Sequence, residues 1–136
     1  MQISPYLTFD GQCAEAFRFY ETCLGGTVQM MMTHAESPMA DQTPPEARGR
    51  VMHARLAVGG MLLMASDGMP GCQQAMQGFS VSLMVGEPAE AERVFAALSE
   101  GGTVRMPLAE TFWAARFGMV TDRFGTPWMV NCERPA

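Results

Sequence analysis

Histidine is scarce in this chain of 136 residues, present only as His34 and His53. A zinc or non-haem iron site generally needs three protein ligands of His, Cys, Asp or Glu type in a defined geometry, so a metal centre could not be built from histidine alone. The four cysteines, Cys13, Cys23, Cys72 and Cys132, form no CxxC pair. In a reducing compartment such scattered cysteines read as small buried hydrophobes rather than disulfides or zinc ligands. Basic charge is also short, with Lys and Arg numbering 9 against 14 Asp and Glu for a net charge of −5. No basic stripe can neutralise phosphates, so nucleic acid is not an expected partner. No stretch approaches the roughly 20 apolar residues of a membrane span. Met1-Gln2-Ile3-Ser4-Pro5 has neither a basic region nor an apolar signal core, and the expected location is the cytoplasm. No GxSxG elbow is present, which argues against a triad hydrolase.

What the chain does contain is an ordinary folded composition, 48% apolar and 17% charged, at the usual size of one domain. Its strongest organisational signal is a repeat. Gly25-Gly26-Thr27-Val28-Gln29-Met30 returns 76 residues later as Gly101-Gly102-Thr103-Val104-Arg105-Met106, and Ala14-Glu15-Ala16 returns as Ala89-Glu90-Ala91. In the first copy Cys13, Phe17, Tyr20 and Leu24 share a helical face that opens near Asp10 or Gln12 and ends at Gly25-Gly26. In the second, Pro88 suits a first helical position, Ala91, Val94, Phe95 and Leu98 form the apolar stripe, and Gly101-Gly102 is the stop. Strands are predicted at Ile3–Phe9, Val28–Met32, Val51–Val58, Met61–Ala65, Phe79–Val85, Thr103–Leu108, Phe117–Thr121 and Thr126–Asn131. Val58-Gly59-Gly60-Met61 reads as a tight hairpin, and Thr121 to Thr126 as a longer one. The chain is therefore read as one domain, 1–136, of α+β class. It comprises two tandem βαβββ modules, about 1–67 and 77–134, whose curved, cup-like mixed sheets carry helices on the outer face. The polar stretch from Thr33 to Arg50 is either a flap over a site or a solvent loop.

His53, on a predicted strand, could act as a general base, or could be a buried strand histidine bonded to a neighbour. Asp67 could orient a ligand or cap a turn. Trp113 reads as a partly exposed aromatic at the rim of a cup, and Trp128 as either core or lining. Arg116 could neutralise an acidic ligand or pair with a surface carboxylate. Fourteen methionines are unusually many. Consecutive strand residues face opposite ways, so most must fill core.

Several segments together resemble the PhnB-like branch of the vicinal oxygen chelate superfamily, which includes glyoxalase I, extradiol dioxygenases and the bleomycin and fosfomycin resistance proteins. They are Pro5-Tyr6-Leu7-Thr8-Phe9, Glu15 to Tyr20, His53-Ala54-Arg55-Leu56, Leu63 to Asp67, Phe112-Trp113 and Asp122 to Trp128. The resemblance implies paired modules that cup a ligand, commonly in a dimer. It also implies a metal held by a His or Glu on the opening strand of a module and a Glu on its last strand. In this chain the last-strand positions fall on Met64 and Met129, and the opening-strand positions on Pro5 or Tyr6 and Ser80 or Val81. None is a customary ligand, and an apolar, deformable floor suits a varied hydrophobic ligand. Some PhnB-like sequences carry names referring to a ubiquinone methyltransferase. An S-adenosylmethionine site usually needs a glycine-rich turn from strand into helix, whereas both Gly-Gly pairs here lead from helix into strand.

The resulting expectation is a homodimer without metal or cofactor, holding a small organic molecule near Tyr6, His53, Met64, Trp113, Arg116 and Met129. The alternative is a metal-dependent lyase, isomerase or dioxygenase that recruits its ion through His53, with or without His34, and a carboxylate such as Asp67 or Glu110. A third reading is a structural dimer whose cups are filled by their own side chains.

Overall fold

The computed structural model describes residues 1–72 and 74–135. Its elements run β1 (Tyr6–Phe9), α1 (Cys13–Leu24), β2 (Thr27–Thr33), β3 (Val51–Val58), β4 (Met61–Asp67), β5 (Val81–Val85), α2 (Pro88–Ser99), β6 (Thr103–Ala109), β7 (Ala114–Thr121) and β8 (Pro127–Glu133). The chain divides into two compact units, Met1–Gln74 and Ala75–Ala136. The first holds a four-stranded sheet in the order β1-β4-β3-β2, the second one in the order β5-β8-β7-β6. In each the opening strand lies parallel to the last and the other pairings are antiparallel. This is the expected α+β architecture of two tandem βαβββ modules. Gln73, within the predicted link Gly68–Gly78, lies outside the described residues.

Both helices pack one apolar face against their own sheet. Cys13, Ala16, Phe17, Tyr20 and Cys23 are buried on α1, and Ala91, Val94, Phe95 and Leu98 on α2. Cys23, rather than the expected Leu24, completes the α1 stripe. Under α1 the ring of Phe17 meets Phe9 edge-on at 6.5 Å and Tyr20 at 5.9 Å. Burying each large side chain contributes about 1.5–3 kcal/mol, which is what holds these two short helices on their sheets.

The repeated Gly-Gly pairs do more than end helices. The first member of each sits at a left-handed φ, 71° at Gly25 and 72° at Gly101, as expected of a helix stop. The second member is required by contact. A Cβ on Gly26 would lie 2.5 Å from the Ala57 carbonyl oxygen, and one on Gly102 2.4 Å from that of Thr121. Gly118, on β7, is also set by contact, since a Cβ there would fall 2.7 Å from Cε2 of Phe95 on α2 and 2.9 Å from the Leu108 Cα. Gly118→Ala is expected to cost about 1–3 kcal/mol through overpacking, read as a lower urea midpoint at unchanged m-value.

Several element ends differ from expectation. β1 begins at Tyr6 rather than Ile3, which is 87% exposed. Pro5 has no N–H for the ladder, though its carbonyl accepts the Met64 N–H at 3.1 Å. β5 begins at Val81 rather than Phe79, because its parallel partner enters register at Trp128 opposite Val81. The segment between β2 and β3 is neither bare loop nor free flap. It folds into three short 3-10 turns, His34–Glu36, Ala40–Gln42 and Pro45–Ala47. Its ends are tied together by bonds from His34 N to Arg50 O and from Ala35 N to Arg48 O. Thr33 and Glu36 form a reciprocal capping box, and the backbone N–H and hydroxyl of Thr33 hold the Glu36 carboxyl below its usual range.

Candidate functional site

Each sheet has one face under its helix and one face left open. In the first unit Leu7, Ala54, Leu56, Leu63 and Ala65 are buried on the helix side. The alternate residues therefore occupy the open face. Cross-strand register aligns four of them in one row, Met30 opposite Arg55, Arg55 opposite Met64, and Met64 opposite Tyr6. His53 follows two residues before Arg55 on the same face, with Met32 opposite it. The Tyr6 hydroxyl lies 3.2 Å from His53 Nδ1, and the two rings stack at 5.8 Å. Three of the expected site residues, Tyr6, His53 and Met64, are thus brought together.

The corresponding row of the second unit is Met106, Met119, Met129 and Ser82. Ser82, rather than Ser80 or Val81, is the opening-strand residue opposite Met129. Trp113 stands at the end of this face, half exposed, with its ring edge-on to Phe117 at 5.4 Å. Trp128 is core, 1% exposed, its indole N–H donating to Asp122 Oδ2 at 2.8 Å. Arg116 turns the other way. It pairs in register with buried Cys132, and its Nε lies 3.2 Å from Glu92 of α2, so its guanidinium ties helix to sheet.

The residues present do not fit the superfamily's metal. Met64 and Met129 occupy the last-strand positions, with Tyr6 and Ser82 opposite them. Among the described residues no three His, Cys, Asp or Glu side chains converge to hold an ion. The carboxylates that could have joined His53 are engaged elsewhere. Asp67 accepts the backbone N–H groups of Cys13 and Val51 at 3.0 and 2.8 Å, and Glu110 lies 3.4 Å from Arg134. S-adenosylmethionine fits no better at the helix N-termini. The first free amide of α1 is already taken by Asp67, while α2 opens with Glu87 and Pro88, of which Pro88 has no N–H to offer.

With this geometry in place, comparison with known proteins is informative. Residues 1–131 match the family model described as 3-demethylubiquinone-9 3-methyltransferase. The chain belongs to this family. Across this PhnB-like family it is similar to protein YjdN of Escherichia coli K12, at 35% identity over 96% of this chain and 95% of that one. Its structure is similar to that of PA1353 from Pseudomonas aeruginosa, with a TM-score of 0.91 at 53% identity, covering 99% of both chains. It is similar in fold to FosX, a fosfomycin resistance protein of Listeria monocytogenes, with a TM-score of 0.69 at 7% identity over 98% of this chain and 94% of that one. The family fold is that of the vicinal oxygen chelate proteins, as the segment resemblances implied. No described helix is long and apolar enough to cross a membrane.

Sequence reasoning missed Arg55. The signal was available, because Arg55 lies two residues from His53 on a strand and so must share its face. All nine basic residues are arginines. Those at 18, 50, 116 and 134 form ion pairs, whereas Arg55 has no carboxylate within ion-pair distance among the described residues.

The cysteines separate into two kinds. Cys13, Cys23 and Cys132 are buried as expected, but Cys72 is exposed. Burial, and after it the Asp67 carboxylate, push the Cys13 thiol up to about 12. Cys13 therefore stays protonated and unreactive at neutral pH. Iodoacetamide on the native protein is expected to label Cys72 alone, and all four cysteines after denaturation, as mass spectrometry of the digests would show.

Proposed function

We propose that this chain is a metal-free binding protein for a small organic acid, held on the open face of its first unit, and that it works as a cytoplasmic homodimer. The observation that carries this reading is the row Met30, Arg55, Met64 and Tyr6. It sets an arginine, with no carboxylate within ion-pair distance among the described residues, between two polarizable apolar side chains, beside a phenol bonded to an imidazole. A guanidinium offers a planar fork that matches a carboxylate in two parallel hydrogen bonds. Methionine fills irregular contact around a variable apolar body. The Tyr6–His53 pair supplies a second polar anchor, because its shared hydrogen bond orients both rings. The second unit's own open face carries Met129, with Trp113 at its end, and Met84, Met106 and Phe112, exposed by 60, 43 and 90%, offer surface to a second copy.

Native mass spectrometry with elemental analysis tests the reading directly. The expected result is a dimer without stoichiometric metal, retaining a small acidic molecule. One metal per subunit would overturn it and favour a metal-dependent lyase, isomerase or dioxygenase. Arg55→Gln is expected to weaken binding of the retained acid about 10- to 100-fold by calorimetry, the scale of a lost charge-assisted hydrogen bond. Unchanged affinity would remove Arg55 from the site.

A further inference from the structure

We propose that the second unit carries a separate pocket for a monocyclic aromatic carboxylate, gripped by Arg105. The starting point is a difference between the two repeats. Gln29 and Arg105 hold equivalent places in the repeated hexapeptide, and both fall where strand register slips. In β2 the pairing steps from Val28–Leu56 to Met30–Arg55, and in β6 from Val104–Val120 to Met106–Met119, so each intervening residue is the extra one of a bulge. A bulge re-aims the side chain it carries. The first unit places a neutral amide there and the second a cation.

Arg105 is held but not neutralised. Its Nε donates to Thr121 Oγ1 at 3.0 Å, and no carboxylate lies within ion-pair distance among the described residues. That single bond fixes the guanidinium while leaving its terminal N–H groups for an incoming anion. Beside it is a cavity of about 240 Å³ lined by Met76, Phe79, Met119 and Trp128 together with Arg105 and Thr121. A dry cavity of about 150 Å³ suffices to hold benzene. The larger volume here accommodates one ring with a carboxylate. Phe79, 45% exposed, and Met119 offer a ring face and a thioether, both of which make favourable contacts with an aromatic guest. No acidic side chain lines the cavity, so its charge is complementary to an anion.

The pocket lies wholly within the second unit and does not depend on the Arg55 site. The test is titration of the whole protein with benzoate, with benzamide as the uncharged isostere, read on 1H–15N spectra. The two indole N–H peaks are assigned with Trp113→Phe. Benzoate is expected to shift the Trp128 peak and Arg105 Nε–H, while benzamide binds at least tenfold more weakly. Arg105→Gln should weaken benzoate at least tenfold with the remaining spectrum unchanged, and Thr121→Ala two- to fivefold by freeing the guanidinium. Arg55→Gln should leave the Trp128 response intact. Equal binding of benzoate and benzamide would overturn the proposal, as would a Trp128 shift that survives Arg105→Gln. A benzoate response that disappears in Arg55→Gln and persists in Arg105→Gln would also overturn it, while supporting the first-unit site.

Discussion

Asp122→Ala is expected to remove about 3–5 kcal/mol of stability, the largest effect of any single substitution considered. Asp122 is 3% exposed at the turn between β7 and β8. Its Oδ1 accepts the backbone N–H groups of Phe124 and Thr126 at 2.8 and 3.0 Å, and its Oδ2 accepts the indole N–H of Trp128 at 2.8 Å. Truncation removes the acceptor of these three bonds at once. Each buried donor left without a partner costs about 1–3 kcal/mol, and bonds to a charged acceptor lie at the upper end. Domains of this size have only about 5–15 kcal/mol in total, so the variant would be marginal. Asp122→Asn keeps one acceptor oxygen and should fall between wild type and alanine. Urea titration followed by tryptophan fluorescence measures all three proteins, and a loss below about 1 kcal/mol would mean that water replaces the carboxylate.

Asp67→Ala should cost about 2–4 kcal/mol, for a related reason with a more local signature. Gln12, at the start of α1, makes no capping bond with its own side chain. The cap comes instead from the end of β4, where Asp67, 8% exposed, accepts Cys13 N–H with one oxygen and Val51 N–H with the other. One carboxylate thus fastens helix, third strand and fourth strand. Hydrogen exchange at the Cys13 and Val51 amides should accelerate in Asp67→Ala beyond the change expected from global stability alone. Loss of global stability without that local acceleration would place the role of Asp67 elsewhere.

These two carboxylates show how much was readable from residues in order. The turn carrying Asp122 was visible from its glycine and its neighbours, because its backbone bonds reach only two and four residues ahead. Asp67 could be read as a cap or as a ligand-orienting group, but its true partners lie 54 and 16 residues away in the chain. The Gly-Gly repeats were legible as helix stops, since a left-handed residue after an apolar stripe is a local event. That the second glycine is held by a carbonyl on a distant strand was not. Arg116 could be read as a ligand group or as a surface ion-pair partner, and only the packing of α2 against β7 chose the second.

The order of apolar and polar residues was enough by itself to set two βαβββ modules and the apolar faces of both helices. Those features depend on periodicity and on glycine geometry, which act over a few residues. Which face of each sheet the helix covers, and which residues align across four strands, depend on contacts between segments far apart in the chain. The rows Met30–Arg55–Met64–Tyr6 and Met106–Met119–Met129–Ser82, and the bulge that aims Arg105, are therefore decisions of the tertiary structure. Strand alternation tells which side chains share a face but not which strand lies alongside, and a slip of one residue sends every side chain to the opposite face.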